Sequence, residues 1–149
     1  HVVHNFFRLI EPTRAYFGKK DFQQLAIIKQ MSVEVKFPVQ IVECETVREG
    51  SGLAKSSRNL RLTDEQKEDA LILFQTLSFI KENKSSFQSP EELKREAIQQ
   101  FNLGKLELEY LEIINSETLG TLTNNWSKNA VACIAAFCGE VRLIDNLEI

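Results

Sequence analysis

With 149 residues, 43% apolar and 26% charged side chains and a formal charge of −3, the chain suffices for one ordinary domain, or for part of one and a small second one. No apolar run approaches the length of a membrane span, and the slightly acidic balance argues against nucleic acid as a partner. Reading from the amino end, His1-Val2-Val3-His4-Asn5-Phe6-Phe7 lacks an initiator methionine and any leader pattern, so the sequence is expected to lie inside a longer chain.

Val2, Val3, Phe6, Phe7 and Ile10 recur at helical spacing and predict an amphipathic helix stopped at Pro12. A β-run, Ala15-Tyr16-Phe17, then meets Gly18, a residue free to take backbone angles others avoid, and Asp21 stands where it would cap a following helix. That helix shows an apolar stripe of Leu25, Ala26, Ile28 and Met31, and Phe37-Pro38 ends it before a β-run from Val39 to Cys44. Strands separated by one helix belong to a parallel sheet, and such sheets bind ligands at the carboxyl ends of their strands.

Gly18-Lys19-Lys20-Asp21 lies at one such end. It reads either as a solvated turn with two surface lysines or as an anion site prepared by a helix N-terminus. The stretch from Glu45 to Leu60 follows the other strand. It carries Gly50, Gly52, Lys55 and the run Ser56-Ser57-Arg58, with few apolar residues to anchor it. It is open to two readings as well, a flexible basic hinge or a phosphate-binding loop whose hydroxyls and planar guanidinium suit a phosphate. Two cation-rich loops leaving the same sheet edge favour the anion reading.

Thr63-Asp64-Glu65-Gln66 is a capping box, and Ala70, Leu73, Phe74, Leu77 and Ile80 continue one helix from it. After a linker from Lys84 to Gln88, Ser89-Pro90-Glu91-Glu92 starts a second helix with Leu93, Ala97, Ile98 and Phe101 on its buried face and Gly104 as its stop. Leu106, Leu108 and Tyr110 alternate with Glu107 and Glu109, which predicts a strand whose acidic face is merely solvated. A turn-rich stretch holds Trp126 as a cover over a small core. Two β-runs, Ala130 to Phe137 and Val141 to Leu147, then form a hairpin about Cys138-Gly139-Glu140. Asp145 and Asn146, near the end of the last run, read as turn chemistry. Cys44, Cys133 and Cys138 suit reduced core thiols of a cytosolic protein, and no metal site is expected, because their spacing matches no zinc pattern and His1 and His4 are remote and solvent-facing.

Pro12, Arg14-Ala15-Tyr16-Phe17-Gly18, Lys20-Asp21, Gln23-Gln24-Leu25, Thr46-Val47-Arg48-Glu49, Gly52-Leu53-Ala54, Ser56-Ser57-Arg58-Asn59 and Arg142-Leu143-Ile144-Asp145-Asn146 together resemble the pantothenate synthetases, the pantoate-beta-alanine ligases, over essentially the whole chain. The resemblance implies an α/β fold class: the tail of a Rossmann-like parallel sheet over residues 1–46, a hinge and phosphate loop over 47–62, and a small α+β lid domain over 63–149. The lid would hold an antiparallel three-stranded sheet and helices. It also implies a cytoplasmic homodimer that joins pantoate to beta-alanine with ATP and Mg2+ through a pantoyl adenylate. Lys20 would then contact ATP phosphate, Asp21 the ribose and Gln24 pantoate. The backbones of Gly18 and Val47 would line adenine, and Ser56, Ser57 and Arg58 would form a flexible phosphate-binding segment. Lys19 and Lys55 depart from the residues usual in the family and would make the site more positive. The family's amino-terminal nucleotide motif is missing, so the chain alone is expected to be inactive. A non-catalytic binding module of the same fold and a related adenylate-forming ligase are the alternatives.

Overall fold

In the computed structural model, which describes residues 1–149, the first apolar periodicity becomes α1 (Val2–Ile10). It ends because Glu11 adopts a left-handed conformation, φ 47°, and returns its N–H to Phe7 O. Phe7 alone of the apolar stripe is buried, set edge-on to the rings of Phe17 and Phe37. His4, expected in solvent, is half-buried with its ring edge-on to Phe37 at 5.3 Å.

β1 (Arg14–Gly18) and β2 (Gln40–Cys44) pair in parallel, from Arg14 opposite Gln40 to Gly18 opposite Cys44. They are joined by a 3-10 turn, Lys19–Asp21, and α2 (Phe22–Glu34), which buries Leu25 and Ile28. Because the strands are in register to their last residues, the segments after Gly18 and after Cys44 leave the same end of the sheet. Cys44 is exposed, contrary to its expected place in a core, because this sheet has only two strands. These elements form one compact unit, His1–Thr46, and Val47–Ile149 forms another.

In the second unit the capping box is present in both directions. Thr63 Oγ1 accepts from Gln66 N, and Gln66 Oε1 accepts from Thr63 N. The helix expected to run on from it is divided instead. α3 (Asp64–Asp69) buries nothing, and α4 (Leu71–Asn83) buries Leu73, Thr76, Leu77 and Ile80. The tight turn between them closes on Ala70, which has no solvent exposure. α5 (Pro90–Phe101) starts at Ser89, whose hydroxyl accepts from Glu92 N, and buries Leu93, Ala97 and Phe101.

Behind these helices lies an antiparallel sheet in the order β3 (Glu107–Asn115), β4 (Ala130–Cys138), β5 (Val141–Glu148). The central strand is rich in alanine and sends Ala130, Ala132, Ile134, Ala136 and Cys138 into the core with Leu73, Leu77, Ile80, Leu93 and Phe101. Small side chains there let the helices approach the sheet closely. The hairpin loop is only Gly139-Glu140, since Cys138 already pairs with Val141, and Gly139 supplies the positive φ (58°) that so short a turn requires.

A bulge between Leu108 and Tyr110 reverses the alternation, so Leu106, Leu108, Leu111 and Ile113 share the core while Tyr110 pairs with Ala135 across the other face. The acidic residues of β3 are also more than solvated. Glu109 binds Arg142 at 2.6 Å, and Glu112 lies 3.4 Å from Lys94. Trp126 does cover the core edge, donating from Nε1 to Phe87 O at 3.1 Å. No helix is long and apolar enough to cross a membrane.

Candidate functional site

The candidate residues fall on two segments, one in each unit. In the first, the parallel register brings the carboxyl ends of β1 and β2 side by side, the position from which such sheets present ligand-binding groups. Gly18 is exposed and extended (φ −74°, ψ 134°), so its expected special backbone angles are not used. A Cβ built on it would meet nothing within 4 Å. Lys19 and Lys20 are half-buried in the 3-10 turn that follows. Lys19 Nζ lies 2.6 Å from Glu45 Oε1, just beyond β2, and so neutralises an acidic neighbour across the sheet end. Asp21 stands at the N-cap position of α2 but its side chain makes no capping hydrogen bond, and the residue is exposed. Gln24 is exposed on the first turn of the same helix.

In the second unit, residues 47–62 carry several hydrogen-bonded and buried anchors. Val47, exposed, accepts from Lys55 N at 2.9 Å, Glu49 N donates to Leu53 O at 2.9 Å, and Arg48 bridges Ala54 in antiparallel fashion. Leu53, Ala54 and Leu62 are buried, and so is Asn59, whose Nδ2 donates to Ala54 O at 3.0 Å. The run Ser56-Ser57-Arg58 opens a 3-10 turn, Ser57–Arg61, capped by Ser56 Oγ, which accepts from Arg58 N. Accepting that bond leaves the Ser56 hydroxyl proton to be donated elsewhere. Ser57 and Arg58 are exposed, and Arg58 Nη1 donates to Arg142 O at 3.1 Å, anchoring a guanidinium that retains its other donors. Glu49, Lys55, Ser56, Ser57, Asn59, Leu60 and Lys67 line a cleft of about 610 Å³. Its two hydroxyls and two ammonium groups, against the single carboxylate of Glu49, suit an anionic ligand. A hydrogen bond from Lys67 to Asp64 raises the lysine's pKa, so Lys67 is cationic at neutral pH.

The polar residues holding this segment were not legible in sequence as partners. Asp145 is buried within β5 and is no part of a turn. It takes the place in the alternation between Leu143 and Leu147, and there it receives both ends of the Arg48 guanidinium, at 2.6 Å from Nη1 and 3.0 Å from Nη2. Arg48 also donates to Gly52 O and Asn146 O and lies 4.4 Å above the Phe74 ring. The available signal was an acidic residue breaking an apolar alternation, with a lone arginine in the turn motif. No group of three or more His, Cys, Asp or Glu is placed to hold a metal ion.

The family model described as Pantoate-beta-alanine ligase matches residues 1–148. Among curated relatives, the pantothenate synthetase of Cytophaga hutchinsonii is 42% identical over 153 residues, covering 99% of this chain and 53% of that protein. The pantothenate synthetase of Bacteroides fragilis is 44% identical over 149 residues, 99% of this chain and 52% of its own. The chain thus spans about half the length of the curated relatives it matches. Among solved structures, a pantothenate synthetase from Thermus thermophilus superimposes with a TM-score of 0.93 at 39% identity, over 99% of this chain and 53% of that one. The pantoate-beta-alanine ligase of Francisella tularensis, solved in complex with beta-gamma ATP and beta-alanine, matches at 28% identity and a TM-score of 0.69 over 99% of this chain and 48% of its own. With nearly every residue inside the family model and the fold reproduced in solved members, the chain belongs to the pantoate-beta-alanine ligase family.

Proposed function

We propose that the chain is the carboxyl-terminal part of an ATP-dependent carbon-nitrogen ligase that joins pantoate to beta-alanine. The observation that carries this reading is the likeness over 99% of the chain to a relative crystallised with beta-gamma ATP and beta-alanine. The exposed Ser57 and Arg58 beside an anion-suited cleft support it from the chemistry of the chain itself.

In the first step a pantoate carboxylate oxygen attacks the α-phosphorus of ATP, the bond to the bridging oxygen breaks, and pyrophosphate departs with that electron pair. In the second, the amine of beta-alanine attacks the acyl carbon, loses a proton, and AMP leaves. Negative charge on the phosphates grows in the first step. Groups fixed in advance near that charge stabilise the transition state more than the ground state.

In this reading Lys20 faces the phosphates, Asp21 accepts hydrogen bonds from the ribose hydroxyls, and Gln24 binds pantoate. The exposed backbones of Gly18 and Val47 lie along adenine. Ser56 and Ser57 donate hydroxyl protons to phosphate oxygens and Arg58 supplies the guanidinium. Mg2+ would be held chiefly by the ATP phosphates and water, since no group of three or more acidic, His or Cys side chains gathers in the chain. Residues 1–149 alone are proposed to be inactive, since they span about half of the relatives' length.

The test uses the full-length protein carrying this sequence, supplied with pantoate, beta-alanine and ATP. Pantothenate, AMP and pyrophosphate are expected in equal amounts, and ADP in place of AMP would rule out the adenylate. Lys20→Ala, Ser57→Ala and Arg58→Ala should each lower adenylate formation, the charged pair on the order of a hundredfold. Wild-type turnover in any of the three would remove that residue from the site.

A further inference from the structure

We infer that Arg48, gripped by Asp145, is a positioning residue: it sets the spacing between the Val47 backbone, at one end of a turn, and the Ser56-Ser57 hydroxyls, which directly follow its other end at Lys55. The inference rests on the nucleotide reading of those groups given above.

The turn runs out from Val47 and back to Lys55, and its ends are clasped by the Lys55 N to Val47 O bond at 2.9 Å. Its far end is Gly52, with φ 98°, where a Cβ would run into the Phe74 ring. Arg48 spans the space between. One guanidinium nitrogen holds the turn through Gly52 O at 3.0 Å and Asp145 Oδ2 at 2.6 Å, and the other reaches Asp145 Oδ1 and Asn146 O on β5. The Arg48 Cζ lies 4.4 Å from the centre of the Phe74 ring of α4, a further contact that holds the group in place. The returning arm is carried onward by Asn59, which donates to Ala54 O and thereby ties the arm to the 3-10 turn bearing Ser57 and Arg58.

A buried ion pair is a poor way to gain stability, since apolar side chains of the same volume often serve as well or better. What a bidentate arginine supplies is direction. Here the direction is imposed on the turn that lies between the adenine-lining and phosphate-binding groups. Lysine, a point charge on a flexible stem, cannot satisfy four acceptors and a ring face together.

The experiment compares Arg48→Lys, Gly52→Ala and Ile134→Val in the full-length protein, with Tm measured for each. Ile134 is a core residue of β4 with no exposure and serves as a control for destabilisation. Arg48→Lys and Gly52→Ala should raise KM for ATP by about tenfold or more, the scale of a sub-ångström to one-ångström misplacement. KM for pantoate should stay within about twofold, and Ile134→Val, compared at equal loss of Tm, should leave both constants near wild type. Should Arg48→Lys fail to accumulate, Asp145→Asn is read in its place. Wild-type KM for ATP in a folded Arg48→Lys protein, or an equal rise in Ile134→Val, overturns the inference. If Arg58→Ala is defective while Arg48→Lys is normal, positioning fails and the nucleotide reading stands; if Arg58→Ala is also normal, the nucleotide reading itself fails.

Discussion

Replacing Asp145 by alanine isolates the energetic side of the Arg48 pair. The Asp145 side chain is 3% exposed and that of Arg48 18%, so the substitution strands a guanidinium that is largely shielded from water. Two charge-assisted bonds are lost, each about 1.5–3 kcal/mol, together with the acceptor of Asn146 N at 2.8 Å. Against that, Arg48 keeps Gly52 O, Asn146 O and the Phe74 ring. Breaking one side of a buried pair costs about 3–5 kcal/mol, and the partial exposure of Arg48 places this case at the lower end, about 3 kcal/mol. Trp126, the only tryptophan of the chain, lies in the same unit and reports its unfolding in a urea titration of the chain. At a typical slope of about 2 kcal/mol per molar urea, the midpoint should fall by about 1.5 M. The double variant Arg48→Met with Asp145→Leu should recover to within about 1 kcal/mol of the parent, because no buried charge is then left unpaired. A double variant as unstable as Asp145→Ala alone would refute this account.

Thr76 is buried in α4 and its hydroxyl has no hydrogen-bond partner; Thr76→Val should therefore raise stability by about 1 kcal/mol, and a loss in the same urea titration would mean that the hydroxyl is satisfied in solution. Burial, followed by the nearby Asp145 charge, pushes the Cys133 thiol from 9.0 up to about 12. The folded protein thus holds this proton more tightly than the unfolded chain, and the associated stability is whole below about pH 9 and lost as pH rises toward about 12. Between about pH 9 and 10.5 the parent should lose roughly 1 kcal/mol per pH unit more than Cys133→Ala does, and parallel profiles would contradict the burial argument.

What could be read from sequence was local. The Thr63–Gln66 box needs only four adjacent residues, Ser89-Pro90 announces a helix by itself, and Gly139 marks a tight hairpin whatever the strands pack against. The βαβ order predicted a parallel pair because a single helix between strands permits little else. Contacts distant in sequence were hidden. Asp145 finds Arg48 97 residues earlier, and nothing near either residue announces the other. The bulge that turns Tyr110 away from Leu108 depends on registry with Ala135 and Ala136, and the division at Ala70 depends on packing beneath α4. In the candidate site, the residue types of Ser56, Ser57 and Arg58 were legible, but the ordered 3-10 turn that carries them was not, because its anchors, Asn59 and Arg48, are polar residues in a stretch that looked short of apolar ones.

Two glycines of the candidate segments show how a structural requirement is told from a chemical one. Gly52 has both structural reasons to be glycine, a positive φ of 98° and a ring against the missing side chain. Gly18 has neither: its angles are those of any strand residue, and a Cβ would project into open space. In stability terms alone, alanine should be as good there or better by up to about 1 kcal/mol, because it restricts the unfolded chain. The proposed function supplies a reason for the hydrogen atom, since a base laid on this backbone would be displaced by a methyl group. Gly18→Ala should accordingly leave the urea midpoint unchanged or slightly raised while KM for ATP rises about tenfold, the usual scale of discrimination at one methyl group. A raised KM without a loss of stability separates a clash with bound nucleotide from a structural duty of the residue. An unchanged KM in a stable Gly18→Ala protein would refute the adenine role of Gly18, and a loss of stability would mean that the residue has a structural duty at the end of β1.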